Sequence, residues 1–136
     1  MAYLLDTNVL SELRKGAKAD AKVRQWASSV LKAKHYISVL SLGEIRKGIE
    51  LLRKKSPAQC LVFERWLAQL QSDYAQEILP VSEEIADRWG RLMAMQTLPV
   101  IDSQIAATAL VHDLTVVTRN THDFKRSGAK LLNPFE

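Results

Sequence analysis

Short apolar runs that alternate with longer stretches of helical period are the feature of this chain that most restricts its fold. The runs span residues 3–5, 36–39, 78–79, 114–118 and 131–132. Each is too short for a helix, so each predicts a strand that is buried on both faces. Strands of this kind, separated by helices, indicate an α/β fold with a mostly parallel sheet covered by helices on both sides.

Two of the intervening stretches predict helices with one buried face. Ser82 is placed to cap the first of them, with Glu83 and Glu84 in the first turn, where the helix dipole favours acidic side chains. Asp102 is expected to open the second, whose alanines allow close approach to a sheet. The inward stripe of the first helix is Ile85, Trp89, Leu92 and Met93.

The stretch at residues 57–79 is apolar around more of its circumference than one buried face requires. Its first stripe is Cys60, Phe63, Leu67 and Leu70, and Val62 and Trp66 add apolar surface beside it. Such a helix lies deep in a core or meets another subunit. A chain of 136 residues supplies little room for burial on all sides, which favours a homodimer formed through this helix.

Composition narrows the class of protein. A content of 47% hydrophobic and 25% charged residues excludes disorder, and the length predicts one domain, residues 1–136. No apolar run approaches the roughly 18 residues of a membrane span, and no signal segment opens the chain. The single cysteine, Cys60, excludes an internal disulfide and a cysteine zinc site. We therefore expect a cytoplasmic protein that does not bind membranes.

Positive charge is concentrated at the two ends of the chain. Residues 1–60 hold 12 basic and 5 acidic side chains, and residues 119–136 hold 4 and 2, whereas residues 61–118 hold 3 and 8. If folding brings the ends together, they form a basic face that favours a polyanion such as nucleic acid. Ordinary solvated helix faces explain any single basic cluster equally well.

Four carboxylates lie near the starts of predicted helices. Asp6 directly follows the first strand, Glu44 and Asp123 lie shortly after the second and fourth, and Asp102 follows a helix and a loop. In parallel α/β sheets, the working crevice lies outside the carboxyl ends of the strands. Three of the acids are therefore expected near that edge, whereas the placement of Asp102 beside them is a conjecture.

Helix capping is the competing explanation for each of these acids. Ser41 and Glu44 have the spacing of a capping box, and Asp6, Asp102 and Asp123 are each placed to cap a helix. A cap stabilises by about 1 kcal/mol. Two carboxylates about 6 Å apart repel by roughly 3 kcal/mol at an effective dielectric constant near 20. If the four acids converge, a cation must therefore lie between them, or some must hold protons.

An all-oxygen cluster suits a hard ion such as Mg²⁺ or Mn²⁺, which would orient a phosphodiester and activate water. Other chemistries lack their residues, because the chain has no His-x-x-x-His pair, no Gly-x-Ser-x-Gly elbow and no glycine-rich phosphate loop. Asn8, two positions after Asp6, counts against aspartyl-phosphate chemistry, which needs a second acid there. Metal-dependent phosphodiester chemistry is the remaining prediction.

Four segments, at residues 3–13, 37–48, 99–107 and 117–124, resemble in order the motifs of PIN-domain ribonucleases. The similarity is closest to the FitB-like VapC proteins, and residues 132–135 resemble the end of that domain. The resemblance implies a three-layer α/β/α domain with a five-stranded parallel sheet in the order 3-2-1-4-5 and a projecting helical pair. It also implies the toxin of a type II toxin–antitoxin pair, acting as an endoribonuclease dependent on Mg²⁺ or Mn²⁺.

Carried over by position, the resemblance assigns Asp6, Glu44 and Asp102 to an acidic catalytic and metal-binding site. Asp123 matches the fourth acid of the subgroup, although other PIN proteins carry that acid at the position of Asn120. The supporting side chains would be Asn8, Thr118 and Asn120, and the cations that hold flanking RNA phosphates would be Arg46, Lys47 and Arg119.

The implied partners are an RNA, with transfer RNA as a plausible class, a second copy of the chain and a small DNA-binding antitoxin similar to VapB. Operator DNA would be contacted only through the antitoxin. Two alternatives share the same residues: a PIN-like module that binds nucleic acid or a partner without turnover, and a nuclease that acts on DNA or on a particular nucleic-acid structure.

Overall fold

The computed structural model describes the backbone of residues 1–136 and every side chain except that of Ala33. The strands are β1 (Tyr3–Leu5), β2 (His35–Ser38), β3 (Ile78–Leu79), β4 (Thr115–Val117) and β5 (Lys130–Leu132). The α-helices are α1 (Thr7–Leu13), α2 (Ala21–Ser29), α3 (Val39–Leu52), α4 (Pro57–Asp73), α5 (Glu83–Met95), α6 (Val100–His112) and α7 (Thr121–Phe124). Within this described part, no helix is both long and apolar enough to cross a membrane.

The five strands form one parallel sheet in the order β3-β2-β1-β4-β5. In the central strand, Tyr3 pairs with His35 of β2 on one side and with Thr115 of β4 on the other. The outer pairs, β2–β3 and β4–β5, are parallel as well. The predicted fold class and strand order are therefore confirmed. All five strands end at the same edge of the sheet, which is the edge that carries β1's Leu5.

Each central strand divides its side chains between two cores, because successive residues of a strand point to opposite faces. Leu5 and Val117 pack into a core beneath α1, α3 and α4, whereas Leu4 and Val116 pack into a core beneath α5 and α6. All four side chains are buried. Burial on both faces explains why the strands are short continuous apolar runs rather than alternating ones.

Helix capping follows the sequence at two of the five predicted positions. Asp6 caps α1 by accepting a hydrogen bond from the Thr7 amide, and Ser82 caps α5 by accepting one from Ile85. The capping box at Ser41 is wrong: β2 turns directly into α3, and the cap is Ser38. Asp102 does not open α6, which begins at Val100 after Pro99 and carries Asp102 in its first turn without a capping bond. Asp123 likewise lies inside α7, whose cap is Asn120.

The broad apolar surface of α4 is mostly used within the chain. Cys60, Leu67 and Leu70 are buried in the first core, and Phe63 and Trp66 pack partly against it. Helices α3 and α4 lie side by side, joined by an ion-pair network of Arg46, Arg53, Glu50 and Glu64. Only Leu61 and Val62 remain as large exposed apolar side chains on α4. The folded chain itself therefore covers most of the apolar surface of α4, and little of that surface needs a second subunit to cover it.

Candidate active site

Four acidic side chains lie around the edge of the sheet where the strands end. Asp6 directly follows β1, Glu44 lies in the second turn of α3 after β2, and Asp123 lies in α7 after β4. Asp102 reaches the same region from the first turn of α6. Asp6 is buried, Asp102 is half-buried, and Glu44 and Asp123 are exposed. The site therefore has an inner, anchored acid and outer acids that face solvent.

The Asp6 carboxylate is held by three hydrogen bonds from its surroundings. Its Oδ1 accepts from the Thr7 amide at 2.8 Å, and its Oδ2 accepts from Thr118 Oγ1 at 2.7 Å and Asn8 Nδ2 at 3.3 Å. Burial, together with the nearby charge of Glu44, raises the pKa of Asp6, although the bonds from Thr118, Thr7 and Asn8 oppose that rise. The Asp6 carboxylate is thus fixed in orientation, although its negative charge remains unfavourable in this buried position.

Thr118 connects β1, α1 and the segment after β4 through one buried hydroxyl. That hydroxyl donates to Asp6 and accepts from Asn8 Nδ2 at 3.2 Å and from the Asn120 amide at 3.0 Å. Asn8 in turn accepts from the Arg119 amide at 3.1 Å. Since a hydroxyl has one proton to donate and two lone pairs, every bonding position of Thr118 is filled.

The pKa of Asp102 depends on the charges of all three other acids. Burial is the largest cause that raises the pKa of its carboxyl, the charges of Asp6, Asp123 and Glu44 add to the rise in that order, and together they bring it to about 6. All three of the other acids are therefore close enough to act on Asp102. This coupling joins Asp102, whose placement was only a conjecture, to the three acids that follow strands.

Thr7 links two of the acids and was not identified from the sequence. Its amide binds Asp6, and its hydroxyl donates to Glu44 Oε1 at 2.6 Å. The only sequence signal is a hydroxyl residue directly after the first acid, and the partner of that hydroxyl lies 37 positions away on another helix. A contact of this kind needs the packing of α1 against α3, which no local pattern specifies.

The donor set fits a hard divalent cation by chemistry. Four carboxylates offer only oxygen, which Mg²⁺ and Mn²⁺ prefer. Burial, with a smaller contribution from neighbouring carboxylates, raises the pKa of Asp6 and of Asp102, so a cation beside them would relieve an unfavourable charge. Among the described side chains, however, no three histidine, cysteine or acidic groups stand close enough to chelate an ion in the observed conformation. Binding would therefore require side-chain rotation, for which the exposed Glu44 and Asp123 have room.

The three predicted phosphate-binding cations have different surroundings. Arg46 pairs with Glu64 at 3.2 Å and Glu50 at 3.4 Å, which ties it to the junction of α3 and α4. Arg119 lies with its guanidinium carbon 4.4 Å from the centre of the Phe135 ring. Lys47 lines a cavity of about 480 Å³ that Glu44 also borders. Lys47 therefore lies beside Glu44 at the margin of the acidic site, whereas Arg119 joins the site only through its amide, which binds Asn8, and Arg46 serves the helix pair.

Comparison with known proteins identifies the family. A model described as the PIN domain matches residues 3–130. The toxin FitB of Neisseria gonorrhoeae is 31% identical over 140 residues, covering 97% of this chain and 97% of that protein. The VapC ribonuclease Y4jK of Sinorhizobium fredii is 30% identical over 138 residues, covering 98% of this chain and 97% of that protein.

Solved structures agree over the same length. FitAB bound to an IR36 DNA fragment matches with a TM-score of 0.82 at 30% identity, covering 98% of this chain and 96% of that chain. A toxin–antitoxin complex from Klebsiella pneumoniae matches with a TM-score of 0.71 at 27% identity, covering 99% of each. Because the family model spans nearly the whole chain and the relatives match from end to end, the chain belongs to the PIN-domain family, in the group that holds FitB and the VapC ribonucleases.

Proposed function

We propose that this chain is the toxin of a type II toxin–antitoxin pair and acts as an endoribonuclease that hydrolyses RNA phosphodiester bonds. The observation that carries the proposal is the buried Asp6, held by three hydrogen bonds where the strands end, with Glu44, Asp102 and Asp123 around it at the same edge of the sheet. Structural caps do not need to be gathered in this way. A cluster of acids with uncompensated charge is a typical functional site.

We propose that Asp6, Glu44, Asp102 and Asp123 hold Mg²⁺ or Mn²⁺. Asp123, rather than Asn120, is assigned to the fourth position because its charge acts on Asp102. When bound, a divalent cation stabilises the negative charge that develops on the phosphodiester oxygens. Asp6 is the best fixed of the four, since Thr118, Asn8 and the Thr7 amide already hold its direction.

The remaining roles follow from chemistry and position. One carboxylate of the acidic site is the proposed proton acceptor for the attacking water. Asn8, Thr118 and Asn120 are positioning residues, which act through their hydrogen bonds around Asp6. Lys47 and Arg119 are the proposed contacts for RNA phosphates that flank the scissile bond.

RNA is the proposed substrate because the full-length relatives include a VapC ribonuclease. Transfer RNA is the class to test first. The FitAB–DNA complex and the Klebsiella toxin–antitoxin complex support a small antitoxin as the partner that covers the site. We propose that this chain reaches operator DNA only through that antitoxin.

Replacement of single acids tests the function. Asp6→Asn and Asp102→Asn should each lower the rate of RNA cleavage by about 100-fold or more, because each removes a charge that acts directly on the reacting groups. The matched control is Asp73→Asn, the same chemical change at an acid that contacts Gln69 at the end of α4. Cleavage is measured on labelled RNA with Mg²⁺, with Mn²⁺ and with a chelator.

Three other outcomes would contradict the proposed function. Undiminished cleavage by a folded Asp6→Asn variant removes the proposed site. Equal cleavage of matched single-stranded DNA indicates a nuclease without preference for RNA. Binding of RNA without cleavage under every metal condition indicates a binding module.

A further inference from the structure

A cavity of about 360 Å³ lies between α5, α6 and the short 3₁₀ turn Lys125–Ser127 that follows α7. Three arginines line it: Arg88 and Arg91 of α5, and Arg126 of the turn. No carboxylate is among the described side chains that line this space, which is called the arginine cavity below. Its volume falls in the range of roughly 300–1,000 Å³ that is typical of ligand pockets. The arginine cavity therefore has the size and the charge of a site for an anion.

The arginine cavity collects positive charge that the sequence disperses. Residues 61–118 hold 3 basic and 8 acidic side chains, and Arg88 and Arg91 are two of those three basic residues. Arg126 comes from the basic C-terminal section and is tied to the loop after α5 through Gln96. An ordinary solvated helix face does not need such a gathering of cations in an acidic part of the chain. A local positive potential of this kind favours a polyanion.

The three guanidinium groups keep donors free for a ligand. Arg126 Nε donates to Gln96 Oε1 at 3.0 Å, and Gln96 Nε2 donates back to the Arg126 carbonyl oxygen. Arg91 Nε donates to Asp87 Oδ2 at 2.9 Å in an exposed ion pair, which is a weak interaction in water. Arg88 makes no hydrogen bond or ion pair within the described part of the chain. The terminal nitrogens of all three groups are therefore available, and Gln96 orients one of the three.

Apolar side chains lie beside the arginines. Leu92, Met95 and Leu110 line the same cavity, and Met95 is 84% exposed. A planar guanidinium matches two phosphate oxygens at once. The carbon atoms of a ribose offer the neighbouring leucine and methionine side chains an apolar contact. The combination suits a nucleotide unit better than it suits a small inorganic anion.

We infer that the arginine cavity binds a backbone phosphate of the RNA, away from the bond that is cut. The inference rests on the proposed function, because it takes the RNA substrate as the ligand. It adds Arg88, Arg91 and Arg126 as RNA-binding residues. None of the three follows from the motifs that mark the acidic site, since Arg88 and Arg91 lie outside all four of those segments.

Both parts of the chain that carry the arginines are joined to parts that carry acids. Trp89 of α5 donates from Nε1 to Ser103 Oγ at 2.8 Å, and Ser103 directly follows Asp102 in α6. Arg126 lies in the turn that directly follows α7, the helix that carries Asp123. A phosphate held in the arginine cavity therefore has a fixed position relative to the acids. Its binding aligns the RNA strand with the acidic site.

The first test measures RNA binding as a function of salt. The double variant Arg88→Gln, Arg91→Gln should bind unfractionated transfer RNA about tenfold or more weakly than wild type, because phosphate contacts are lost. The slope of log affinity against log salt concentration should fall by about 0.7–0.9 for each phosphate released. Fluorescence anisotropy with a chelator measures binding without cleavage, and thermal unfolding verifies the fold. Arg65→Gln, the same change at an exposed arginine of α4, is the matched control and should alter neither value.

The second test separates binding from chemistry. With Mg²⁺, the double variant should raise KM for transfer RNA and leave kcat close to that of wild type, because the arginines contact the RNA equally before and during the reaction. Asp6→Asn should instead lower kcat. A fall in kcat without a rise in KM for the arginine variant would contradict a role in RNA binding.

Two further results would overturn the inference. The first is an RNA affinity and salt dependence of the double variant that match those of Arg65→Gln. The second is an unchanged RNA affinity together with lost binding of a nucleoside triphosphate or of poly-glutamate, which would assign the cavity to another anion. The proposed function is judged separately: a wild-type chain that binds RNA through these arginines but cuts none would contradict that function and leave the arginine cavity as an RNA site.

Discussion

Replacing Asp102 by asparagine should stabilise the metal-free protein at neutral pH. The pKa of Asp102 rises from 3.8 to about 6 on folding, which corresponds to about 3 kcal/mol for a fully buried group. Because Asp102 is only half-buried, solvent screening reduces the expected effect to about 1–2 kcal/mol. The folded pKa is the higher one, so the favourable contribution is complete below pH 3.8 and is lost as the pH rises through about 6. Asparagine carries no charge, so the variant keeps this favourable contribution at every pH.

Urea unfolding in the presence of a chelator, at several pH values from 4 to 7.5, measures this effect. The difference in unfolding free energy between Asp102→Asn and wild type should grow with pH and level off above pH 7. Asp73→Asn serves as the control and should show no comparable growth. Saturating Mg²⁺ should then stabilise wild type, by about 2.7 kcal/mol at 100 times its dissociation constant, and stabilise Asp102→Asn less. A difference that is independent of pH would refute the electrostatic account of the site.

Three further substitutions test single contacts by urea unfolding. Thr118→Val should cost about 2 kcal/mol, because Asp6 loses a buried hydrogen bond, and Asn8 Nδ2 and the Asn120 amide each lose the Thr118 oxygen as an acceptor. An unchanged stability would show that this network is not structural. Ser41→Ala should stabilise the protein by up to about 1 kcal/mol, because the Ser41 hydroxyl is buried without a hydrogen-bond partner among the described groups. A loss of stability would instead indicate that Ser41 caps the helix. Burial lowers the pKa of His35 in the folded chain, so protonation below pH 6.5 favours the unfolded chain. His35→Leu should therefore reduce the loss of unfolding free energy on acidification. An unchanged dependence of stability on pH would contradict this reasoning.

The sheet could be predicted because its strands are buried on both faces. Continuous apolar runs mark such strands directly, and Leu4 with Leu5 and Val116 with Val117 show the two-sided burial that produces them. Strand ends were less certain: β2 begins at His35 and ends at Ser38, one residue earlier than expected at each end. Ser38 could not be assigned from the pattern, because no loop residue separates the strand from the helix that it caps.

The position of Asp102 beside the other acids had a physical basis that local patterns do not reveal. A helix that leads into a parallel strand must return the chain from the carboxyl edge of the sheet to the amino edge. Helix α6 precedes β4, so its first turn lies near the carboxyl edge. Two helices, α5 and α6, lie between β3 and β4, and the sequence alone does not state which of them makes the return. The structure resolves this point, because α6 is the helix that leads directly into β4 and Asp102 lies in its first turn.

The acids differ in how firmly they are held, and this difference explains how a site without a ready-made chelate can still suit a cation. Asp6 is buried and bound by three donors, so it costs little further conformational entropy when an ion binds. Glu44 is exposed and held by one hydroxyl, that of Thr7, so it can rotate. The fixed acid would set the place of the proposed ion, and the exposed acids would rotate to complete its shell and relieve the repulsion around Asp102. A cation should therefore rigidify Glu44 and Asp123 more than Asp6, which nuclear magnetic relaxation of the side-chain carboxyl carbons would measure directly.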